Sequence, residues 1–288
     1  MIEFSAIKIF HDGTITQCLV VCELLSNNDH EEYEDVVAYY KKNFKNTDGT
    51  IKPIFRFICT HPHQDHICGL AQLLQSSGIT ISNFWDVDHE WEPESFDGHE
   101  THEDDWKAYK KVRTSKSSPK ALQYTRESKP SEYWSDDEDR IEILAPSKDL
   151  IRKAHYNDDG SKKASIDIDA ISYALLIHIN SRKVLLAGDG KETPCWEDIY
   201  SNCKEKIKNL AILKAGHHGH ESAFHEAAVK LMKPEIIVFS NSEGEDYNHG
   251  ADNEYLKASP NSTILKTCDH GTVVIECPFD SDDPMKVI

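Results

Sequence analysis

The 288-residue chain has 32 Lys and Arg residues against 50 Asp and Glu residues, a formal net charge of −18, and 39% hydrophobic residues. The hydrophobic fraction excludes a mostly disordered chain, and the acidic excess argues against extended binding to duplex nucleic acid, which draws most of its affinity from basic residues. No apolar run approaches the roughly 18–20 residues of a membrane span, and the N-terminal MIEFSAIKIF lacks signal-peptide features, so we expect a cytoplasmic protein. We also expect a single domain over residues 1–288.

The first part of the chain predicts a hairpin, a helix and a buried strand. Apolar residues at 7–10 and 18–22 flank a turn at Asp12-Gly13, which is typical of a β-hairpin. Residues 30–45 show helical spacing, and the apolar run 54–60 predicts a buried strand. Next, Ile67, Leu70, Leu73 and Leu74 predict one helix that Gly78 ends.

Residues 88–135 are polar, acidic and only weakly periodic. We interpret them as a surface excursion with some helix at 106–112. The histidines of this region, at positions 89, 99 and 102, are predicted on the surface. Trp91 and Trp106, with Trp85 just before this region, are expected to pack in the core or against loops, with a substrate wall as the alternative.

The second half predicts further strands at 140–144, 173–179, 183–187, 210–213, 236–239 and 272–277, with helices around 196–207 and 224–232. The two strands that flank Asn180-Ser181 form a predicted hairpin. The eight cysteines are scattered without a C-x-x-C pair, so we interpret them as core residues of a cytosolic protein.

Potential metal ligands follow three of these predicted strands. His61, His63, Asp65 and His66 come directly after the strand at 54–60, Asp189 follows 183–187, and His217-His218 follow 210–213. Loops from neighbouring strand ends converge in layered α/β folds, so we expect these groups to meet. Imidazole and carboxylate without thiolate suit zinc, manganese or iron.

The spacing of the potential ligands in residues 61–66 would allow them to reach two metal ions. An extended backbone can turn His61 and His63 toward one metal, and Asp65 and His66 can reach a second as the chain bends into a helix. Asp189 would bridge the two. A metal pair ~3.5–4 Å apart would hold a bridging hydroxide as the nucleophile, so two ions, Zn²⁺ or Mn²⁺, are predicted.

These residues resemble the metallo-β-lactamase superfamily. The run Thr60-His61-Pro62-His63-Gln64-Asp65-His66 matches its H-x-H-x-D-H signature, and Leu185-Leu186-Ala187-Gly188-Asp189 is similar to its bridging-aspartate motif. More specifically, the chain resembles the ComEC-type competence hydrolase domains in the segments 140–146, 169–172, 213–219, 249–250 and 267–273.

The resemblance implies an α/β fold of the αββα four-layer sandwich type and a metal-dependent hydrolase. It implies that the metal ligands are His61, His63, Asp65, His66, Asp189 and His218, with Asp65 also catalytic. His217 would contact the substrate or leaving-group oxygen, and His249 would bind phosphate or donate a proton. The division between His217 and His218 stays open.

Two departures from the family pattern affect these expectations. Asp169 stands where the ComEC-type pattern usually has asparagine, so Asp169 is a candidate metal ligand or a residue that caps local structure. The usual N-terminal Asp-x-Gly-x-Gly-Asp is degraded to His11-Asp12-Gly13-Thr14, so that loop has no assigned role.

The predicted function is a phosphodiesterase or nuclease that uses a metal-bridged hydroxide on a phosphoester or nucleotide-like substrate, including single-stranded nucleic acid. Two alternatives stay open. One is a phosphorylcholine-esterase-like or other ester hydrolase with the same ligands. The other is a metal-stabilised interaction module with the acidic excursion as its docking surface.

Overall fold

The computed structural model describes residues 4–11, 14–22, 36–75, 78–96, 102–130, 140–179, 181–241, 250–278 and 283–288, with the backbone alone for 4–11 and 14–22. The chain divides into two compact units, Met1–Tyr124 and Thr125–Ile288. Each unit has its own main β-sheet. The single-domain organisation stays a prediction.

The first unit holds a five-stranded sheet in the order β1-β2-β3-β4-β5. Its strands are β1 Phe4–His11, β2 Thr14–Cys22, β3 Ile54–Cys59, β4 Ile81–Asp86 and β5 Lys120–Gln123. Its helices are α1 Val36–Asn43, α2 Gln64–Ile67, α3 Leu70–Gln75 and α4 Glu103–Val112.

Strand direction explains where the first unit collects its polar side chains. β1 and β2 are antiparallel, whereas β2, β3, β4 and β5 run parallel to one another. The loops that follow β3 and β4 therefore leave from the same edge of the sheet. The first carries residues 60–63 and the second residues 87–91.

A buried apolar cluster supports this edge. It is formed by side chains of α1, β3, the α2–α3 region, β4 and α4, including Phe44, Phe57, Leu70, Phe84 and Trp106. Each of these five side chains is at most 1% exposed. Full burial of such a side chain stabilises the folded state by roughly 1.5–3 kcal/mol, so the loops at this edge are attached to a well-packed apolar core.

The second unit holds a six-stranded sheet in the order β11-β10-β9-β8-β7-β6 and a two-stranded sheet, β12-β13. The strands are β6 Ile141–Ala145, β7 Ala174–Ile179, β8 Arg182–Leu186, β9 Ile212–Lys214, β10 Ile236–Phe239, β11 Thr263–Lys266, β12 Ile275–Glu276 and β13 Lys286–Val287. The helices are α5 Lys148–His155, α6 Glu197–Cys203, α7 Glu226–Met232, α8 Asp252–Ala258 and α9 Thr267–His270.

The second sheet also gathers loops at one edge. β6, β7 and β8 pair antiparallel, while β8, β9, β10 and β11 run parallel. The chain segments after β8, β9 and β10 therefore begin at the same edge. They carry Asp189, the 217–218 pair and Ser240, in that order.

The mixed α/β class predicted from the sequence is confirmed, and most of the predicted strands are present. The helix predicted through 67–74 is wrong in one respect: it is two helices, α2 and α3, because Gly69 between them has a φ of 77°. The strand predicted at 272–277 is reduced to Ile275–Glu276, and the one at 210–213 is shifted to Ile212–Lys214. The Asp12-Gly13 turn, residues 30–35 and Asn180 lie outside the described residues.

The core role predicted for the cysteines is confirmed for four of them. Cys59, Cys68, Cys195 and Cys203 are buried, while Cys268 and Cys277 are half-buried. Burial raises the pKa of the Cys195 thiol to about 12, so this thiol is protonated and unreactive at neutral pH. Within the described parts of the chain, none of the helices has the length and apolar character that crossing a bilayer requires.

A cluster of charges on β6 and β7 ties the second sheet to a nearby turn. Glu142 accepts hydrogen bonds from His178 Nε2 at 2.8 Å and from Lys206 Nζ at 2.6 Å. The hydrogen bond from His178 is the main cause that lowers the pKa of Glu142 to about 2, and Lys206 adds to it against the effect of burial. A carboxyl group whose pKa is lower in the folded state stabilises the fold above its unfolded pKa of about 4.3.

This pairing predicts a pH-dependent stability. The stabilisation from Glu142 should be complete above about pH 5 and should be lost as the pH falls toward 2. Glu142→Gln should lower the free energy of unfolding at pH 7 by about 1–3 kcal/mol and flatten its decline with acidification. Urea unfolding at several pH values measures both effects, with Glu205→Gln, an exposed ion-pair partner of Lys208, as the control. An unchanged pH profile in Glu142→Gln would contradict the assignment.

Candidate metal ligands in the two units

The loop after β3 brings its potential ligands together. His61 and His66 are fully buried, while His63 and Asp65 are partly buried. Nε2 of His61 lies 3.0 Å from Nδ1 of His63, and the rings of His61 and His66 have centroids 3.9 Å apart. The extended backbone of His63 (φ −63°, ψ 156°) precedes α2 directly. Within this loop the predicted convergence of His61 with His63 and the bend into a helix are confirmed.

Hydrogen bonds explain the ring orientation of His66. Its Nδ1 lies 3.2 Å from Oγ1 of Thr60, and its Nε2 lies 3.2 Å from Oδ2 of Asp65. When Nδ1–H donates to the threonine hydroxyl, Nε2 carries a lone pair that faces a carboxylate oxygen. A ring nitrogen held by a hydrogen bond while the other faces outward is the usual arrangement of a metal-binding histidine.

Trp91 covers His63 from the neighbouring loop. The two rings make an edge contact with centroids 5.3 Å apart and planes 78° apart. The backbone N–H of Trp91 donates to Nδ1 of His89 at 3.0 Å. His89 is only 5% exposed, so its predicted surface position is wrong. The acidic neighbours of His89 made this segment look solvated throughout.

A buried hydrogen-bond chain holds His89 in place. Its Nδ1 is an acceptor, so its Nε2–H donates to the hydroxyl of Tyr109 at 2.6 Å, and that hydroxyl donates to Oδ1 of Asp86 at 2.6 Å. At the end of this chain, Nε of Arg113 forms an ion pair with Oδ2 of Asp86 at 2.8 Å. Burial raises the pKa of Tyr109 well above its usual value and raises that of Asp86 to about 6 while Arg113 opposes the rise. At neutral pH the phenol therefore donates and the carboxylate accepts.

In the second unit, Asp189 sits on a backbone turn that only glycine can form. Gly188 has a φ of +53°, and a Cβ there would lie 2.4 Å from Ser172 Oγ and 2.5 Å from the carbonyl oxygen of Tyr173. The same Ser172 hydroxyl accepts the backbone N–H of Asp189 at 3.1 Å. These contacts hold the Asp189 backbone at the end of β8, as the Gly-Asp-Gly pattern predicts.

The residues after β9 adopt an unusual backbone. His217 and His218 are both in the left-handed region, with φ of 47° and 59°. Gly219 follows with a φ of +89°, and a Cβ there would lie 2.3 Å from the ring of buried Phe239. Three such residues in succession turn the two imidazoles in different directions. Left-handed non-glycine residues cost roughly 1–2 kcal/mol each and concentrate at functional sites.

His218 points toward Asp189. Its Nδ1–H donates to the carbonyl oxygen of Ser240 at 3.2 Å, and its Nε2 lies 3.4 Å from Oδ2 of Asp189. Both side chains are buried, at 4% and 2% exposure. With Nδ1 committed to Ser240, a neutral imidazole would present the lone pair of Nε2 to the carboxylate oxygen. Their separation is close to that of two ligands that share one cation at bond lengths of ~2.0–2.2 Å.

His217 faces elsewhere and contacts a serine that sequence reasoning missed. Nδ1 of His217 lies 2.7 Å from Ser222 Oγ, and the same hydroxyl lies 2.9 Å from Nδ1 of His220. The backbone N–H of Ser222 donates to Nδ1 of His220 at 3.0 Å. Burial lowers the pKa of His217, against the opposing effect of Asp189, so this ring is neutral at pH 7. Only the short spacing of Gly-His-Glu-Ser after the pair could have indicated Ser222.

Asp169 is engaged by a lysine that the sequence did not single out. It lies in the single 3₁₀ turn Asp169–Ile171 and is 6% exposed. Lys191 Nζ lies 3.0 Å from Oδ2 of Asp169 and 3.0 Å from Oδ1 of Asp167. Burial lowers the pKa of Lys191, but the two carboxylates outweigh it and raise the pKa overall. The ligand role of Asp169 stays a prediction, and His249 lies outside the described residues.

Residues 38–157 match the metallo-β-lactamase superfamily. The match covers less than half of the chain. It includes the 61–66 loop and ends before Asp169, Asp189 and His218. No curated protein matches the chain.

Solved structures with low sequence identity to the chain were also found. Igni18, a metallo hydrolase from the archaeon Ignicoccus hospitalis, has 16% identity over 91% of this chain and 90% of its own, with a TM-score of 0.47. A protein described as a metal-dependent hydrolase, from Parabacteroides distasonis, has 15% identity over 91% and 88%, with a TM-score of 0.43. The short form of human tRNase Z has 12% identity over 91% and 84%, with a TM-score of 0.40. The mixed α/β architecture is consistent with the metallo-β-lactamase fold that the family match indicates.

The glycine after His218 predicts a packing effect that can be separated from backbone strain. Gly219→Ala combines a left-handed backbone with a clash against Phe239, whereas Gly160→Ala has the same kind of backbone, at φ +83°, with nothing within 4 Å. We expect Gly160→Ala to cost about 1–2 kcal/mol of unfolding free energy, and Gly219→Ala to cost at least about 1–3 kcal/mol more. Equal losses of unfolding free energy in the two variants, measured by thermal or urea unfolding, would show that the Phe239 ring moves aside without a measurable cost.

The buried chain behind Trp91 predicts a second effect. Tyr109→Phe removes the hydroxyl that joins His89 to Asp86 and leaves both without that bond in a buried position, at a cost of about 1–3 kcal/mol. Tyr156→Phe, at a tyrosine that is 37% exposed, is the control and should change the unfolding free energy little. Urea unfolding measures both variants. A neutral Tyr109→Phe would mean that the chain contributes no net stability.

Proposed function

We propose that the protein is a metal-dependent hydrolase that acts on phosphodiesters, as the ComEC-type resemblance implies. Its proposed metal ligands are His61, His63, Asp65 and His66 in the first unit and Asp189 and His218 in the second, with Asp169 as a further candidate. The proposed metals are two Zn²⁺ or Mn²⁺ ions. Members of the metallo-β-lactamase superfamily are typically hydrolases.

The observation that carries the proposal is the clustering of four donors in one short loop. His61 contacts both His63 and His66, and His66 contacts Asp65, at 3.0–3.2 Å between polar atoms or 3.9 Å between ring centroids. Two of the imidazoles are fully buried. Imidazoles and a carboxylate at mutual contact distance in one loop form a set of groups that can converge on a metal ion.

The chemistry of the donors in the second unit also fits a metal. Nδ1 of His218 is committed to a backbone carbonyl, so in the neutral ring Nε2 and Oδ2 of Asp189 would be two acceptors 3.4 Å apart. A cation relieves the repulsion between two such atoms. A proton on Nε2 would also relieve it, and the measurement of bound metal below separates the two explanations.

When bound, the metal ions would supply Lewis acidity and lower the pKa of a water molecule toward ~7. His217 is proposed to contact the substrate or leaving-group oxygen through a hydrogen bond. Because Nδ1 of His220 already accepts the backbone N–H of Ser222, the Ser222 hydroxyl can donate to Nδ1 of His217. The proton of neutral His217 then resides on Nε2, from which it can donate a hydrogen bond to a substrate oxygen. His249 is proposed to bind phosphate or to donate a proton.

The charge of the chain narrows the substrate class. With a net charge of −18, the protein has little of the basic surface that holds a duplex backbone. Small phosphodiesters and single-stranded nucleic acid are therefore the proposed substrates. An ester hydrolase of another class, such as one resembling phosphorylcholine esterases, uses the same ligands and is an outcome that the assay below distinguishes.

The proposal predicts that one substitution in either unit removes metal and activity together. Asp65→Asn and Asp189→Asn should each lower bound metal and should lower hydrolysis of bis-p-nitrophenyl phosphate by more than the ~10–100-fold typical of residues that only support a ligand. Metal content by elemental analysis and turnover with added Zn²⁺ or Mn²⁺ provide the two measurements. A single-stranded oligonucleotide and p-nitrophenylphosphorylcholine serve as further substrates.

Asp158→Asn, at an exposed turn, is the matched control and should keep both metal and turnover. Full activity in Asp65→Asn would overturn the mechanism. Metal binding with turnover of the phosphorylcholine ester alone would assign the alternative substrate class. Metal binding without hydrolysis of any ester would favour the interaction module.

A further inference from the structure

Three donors of different chemical types meet in the first unit, outside the predicted ligand set. Cys68 lies in the turn between α2 and α3, His102 immediately precedes α4, and Asp105 is in the first turn of α4. One potential ligand atom from each, a thiol sulfur, an imidazole nitrogen and a carboxylate oxygen, lie within 4.8 Å of one another. Positions 68 and 102–105 are far apart in sequence, so the fold creates this grouping.

The spacing within the cluster suits coordination better than direct bonding. Nδ1 of His102 is 3.7 Å from Oδ2 of Asp105, which is beyond hydrogen-bond range. Ligands at ~2.0–2.3 Å from a tetrahedral zinc ion are separated by about 3.3–3.8 Å. A gap of this size between an imidazole nitrogen and a carboxylate oxygen leaves room for an ion that contacts both.

The carboxylate of Asp105 is held in a fixed orientation. It is 5% exposed and accepts the backbone N–H of Gly69 at 3.0 Å, the backbone N–H of Ala71 at 2.9 Å and Nε2 of Gln64 at 3.2 Å. A carboxylate has about four lone-pair positions. Oδ2 accepts two of these bonds and Oδ1 accepts one, so an ion would use the position left on Oδ1 or replace the 3.2 Å contact of Gln64 at Oδ2. Ligating carboxylates are commonly held by hydrogen bonds of this kind.

The other two residues complete the arrangement. The backbone N–H of His102 donates to Oε1 of Gln64 at 2.7 Å, so Gln64 binds the start of α4 through both ends of its amide. Cys68 is 5% exposed, whereas the His102 side chain is 43% exposed. The cluster therefore has a buried thiol side and an open imidazole side from which an ion can enter.

We propose that Cys68, His102 and Asp105 form a second divalent-metal site of the zinc type, with water in the open fourth position. Thiolate, imidazole and carboxylate together favour Zn²⁺ over Mg²⁺, Ca²⁺ or Mn²⁺. The ion would join the start of α4 to the α2–α3 turn and would therefore stabilise the folded state. The site does not depend on the proposed hydrolase function, because none of its residues belongs to that ligand set.

Cobalt substitution tests the site directly. Thiolate bound to Co²⁺ gives a near-ultraviolet charge-transfer band, and the ligands proposed for hydrolysis include no cysteine. Titration of the metal-free full chain with Co²⁺ should give this band with a final intensity that corresponds to about one thiolate-bound ion per chain, and Zn²⁺ should displace it. The band should persist in His61→Ala, which alters only the hydrolase ligands.

Two variants locate the band. Cys68→Ser should abolish it, and His102→Gln should weaken Co²⁺ binding by at least about 10-fold. Both leave the three hydrogen bonds of Asp105 intact, so circular dichroism should show an unchanged fold. Cys268→Ser, which removes a half-buried cysteine elsewhere, is the control and should keep the band. Absence of the band in the wild type, or its survival in Cys68→Ser, would mean that Asp105 only caps α3 and would overturn the proposal.

Discussion

Two acceptor atoms that face each other in a buried position repel unless a positive charge lies between them. Nε2 of His218 and Oδ2 of Asp189 lie 3.4 Å apart, while the other ring nitrogen of His218 is committed to Ser240, so a proton on Nε2 or a bound cation would supply that charge. Burial prevents water from screening this repulsion. The surrounding structure is arranged to hold the pair in place, and the proposed chemistry depends on what occupies the space between the two atoms.

That arrangement is costly for the backbone. The two imidazoles after β9 are positioned by consecutive left-handed residues, and glycines fill the positions where a Cβ would collide with Ser172 or Phe239. Parallel strands provide the starting points, because β8, β9 and β10 end at one edge. Local strain of this kind persists only where the packing around it determines the conformation. The buried apolar strands of the second sheet provide that packing.

The sequence predicted the parts of the fold that follow from simple patterns. The strand at Ile54–Cys59 and the loop behind it could be predicted because an apolar run ends abruptly at a group of histidines. Strand β5 was missed, since Lys120 and Gln123 are polar and the strand forms through its pairing with β4. The leucine periodicity predicted one helix where Gly69 separates two. Such a periodicity does not show that a glycine has a positive φ.

The partners of the candidate ligands were harder to predict. His89 and Asp105 lie in an acidic stretch that resembles solvated surface, and only the folded chain shows that each is buried with specific hydrogen bonds. No sequence motif marks Lys191 or Ser222. Lys191 contacts Asp169, which is distant in sequence, and Ser222 contacts His217 across a turn. Ligand type can thus be recognised from sequence, whereas the groups that orient a ligand depend on tertiary structure.

The hydrogen-bond chain from Trp91 to Asp86 has a consequence for how this protein can diverge. Its protons all point in one direction, from the indole-bearing loop through His89 and Tyr109 to Asp86. Loss of one member leaves its neighbours without that hydrogen bond in a buried position. Joint replacement of the members by apolar side chains of similar shape can leave the stability nearly unchanged. Positions 86, 89, 109 and 113 should therefore be inherited as a set in descendants of this chain, with mixed combinations selected against.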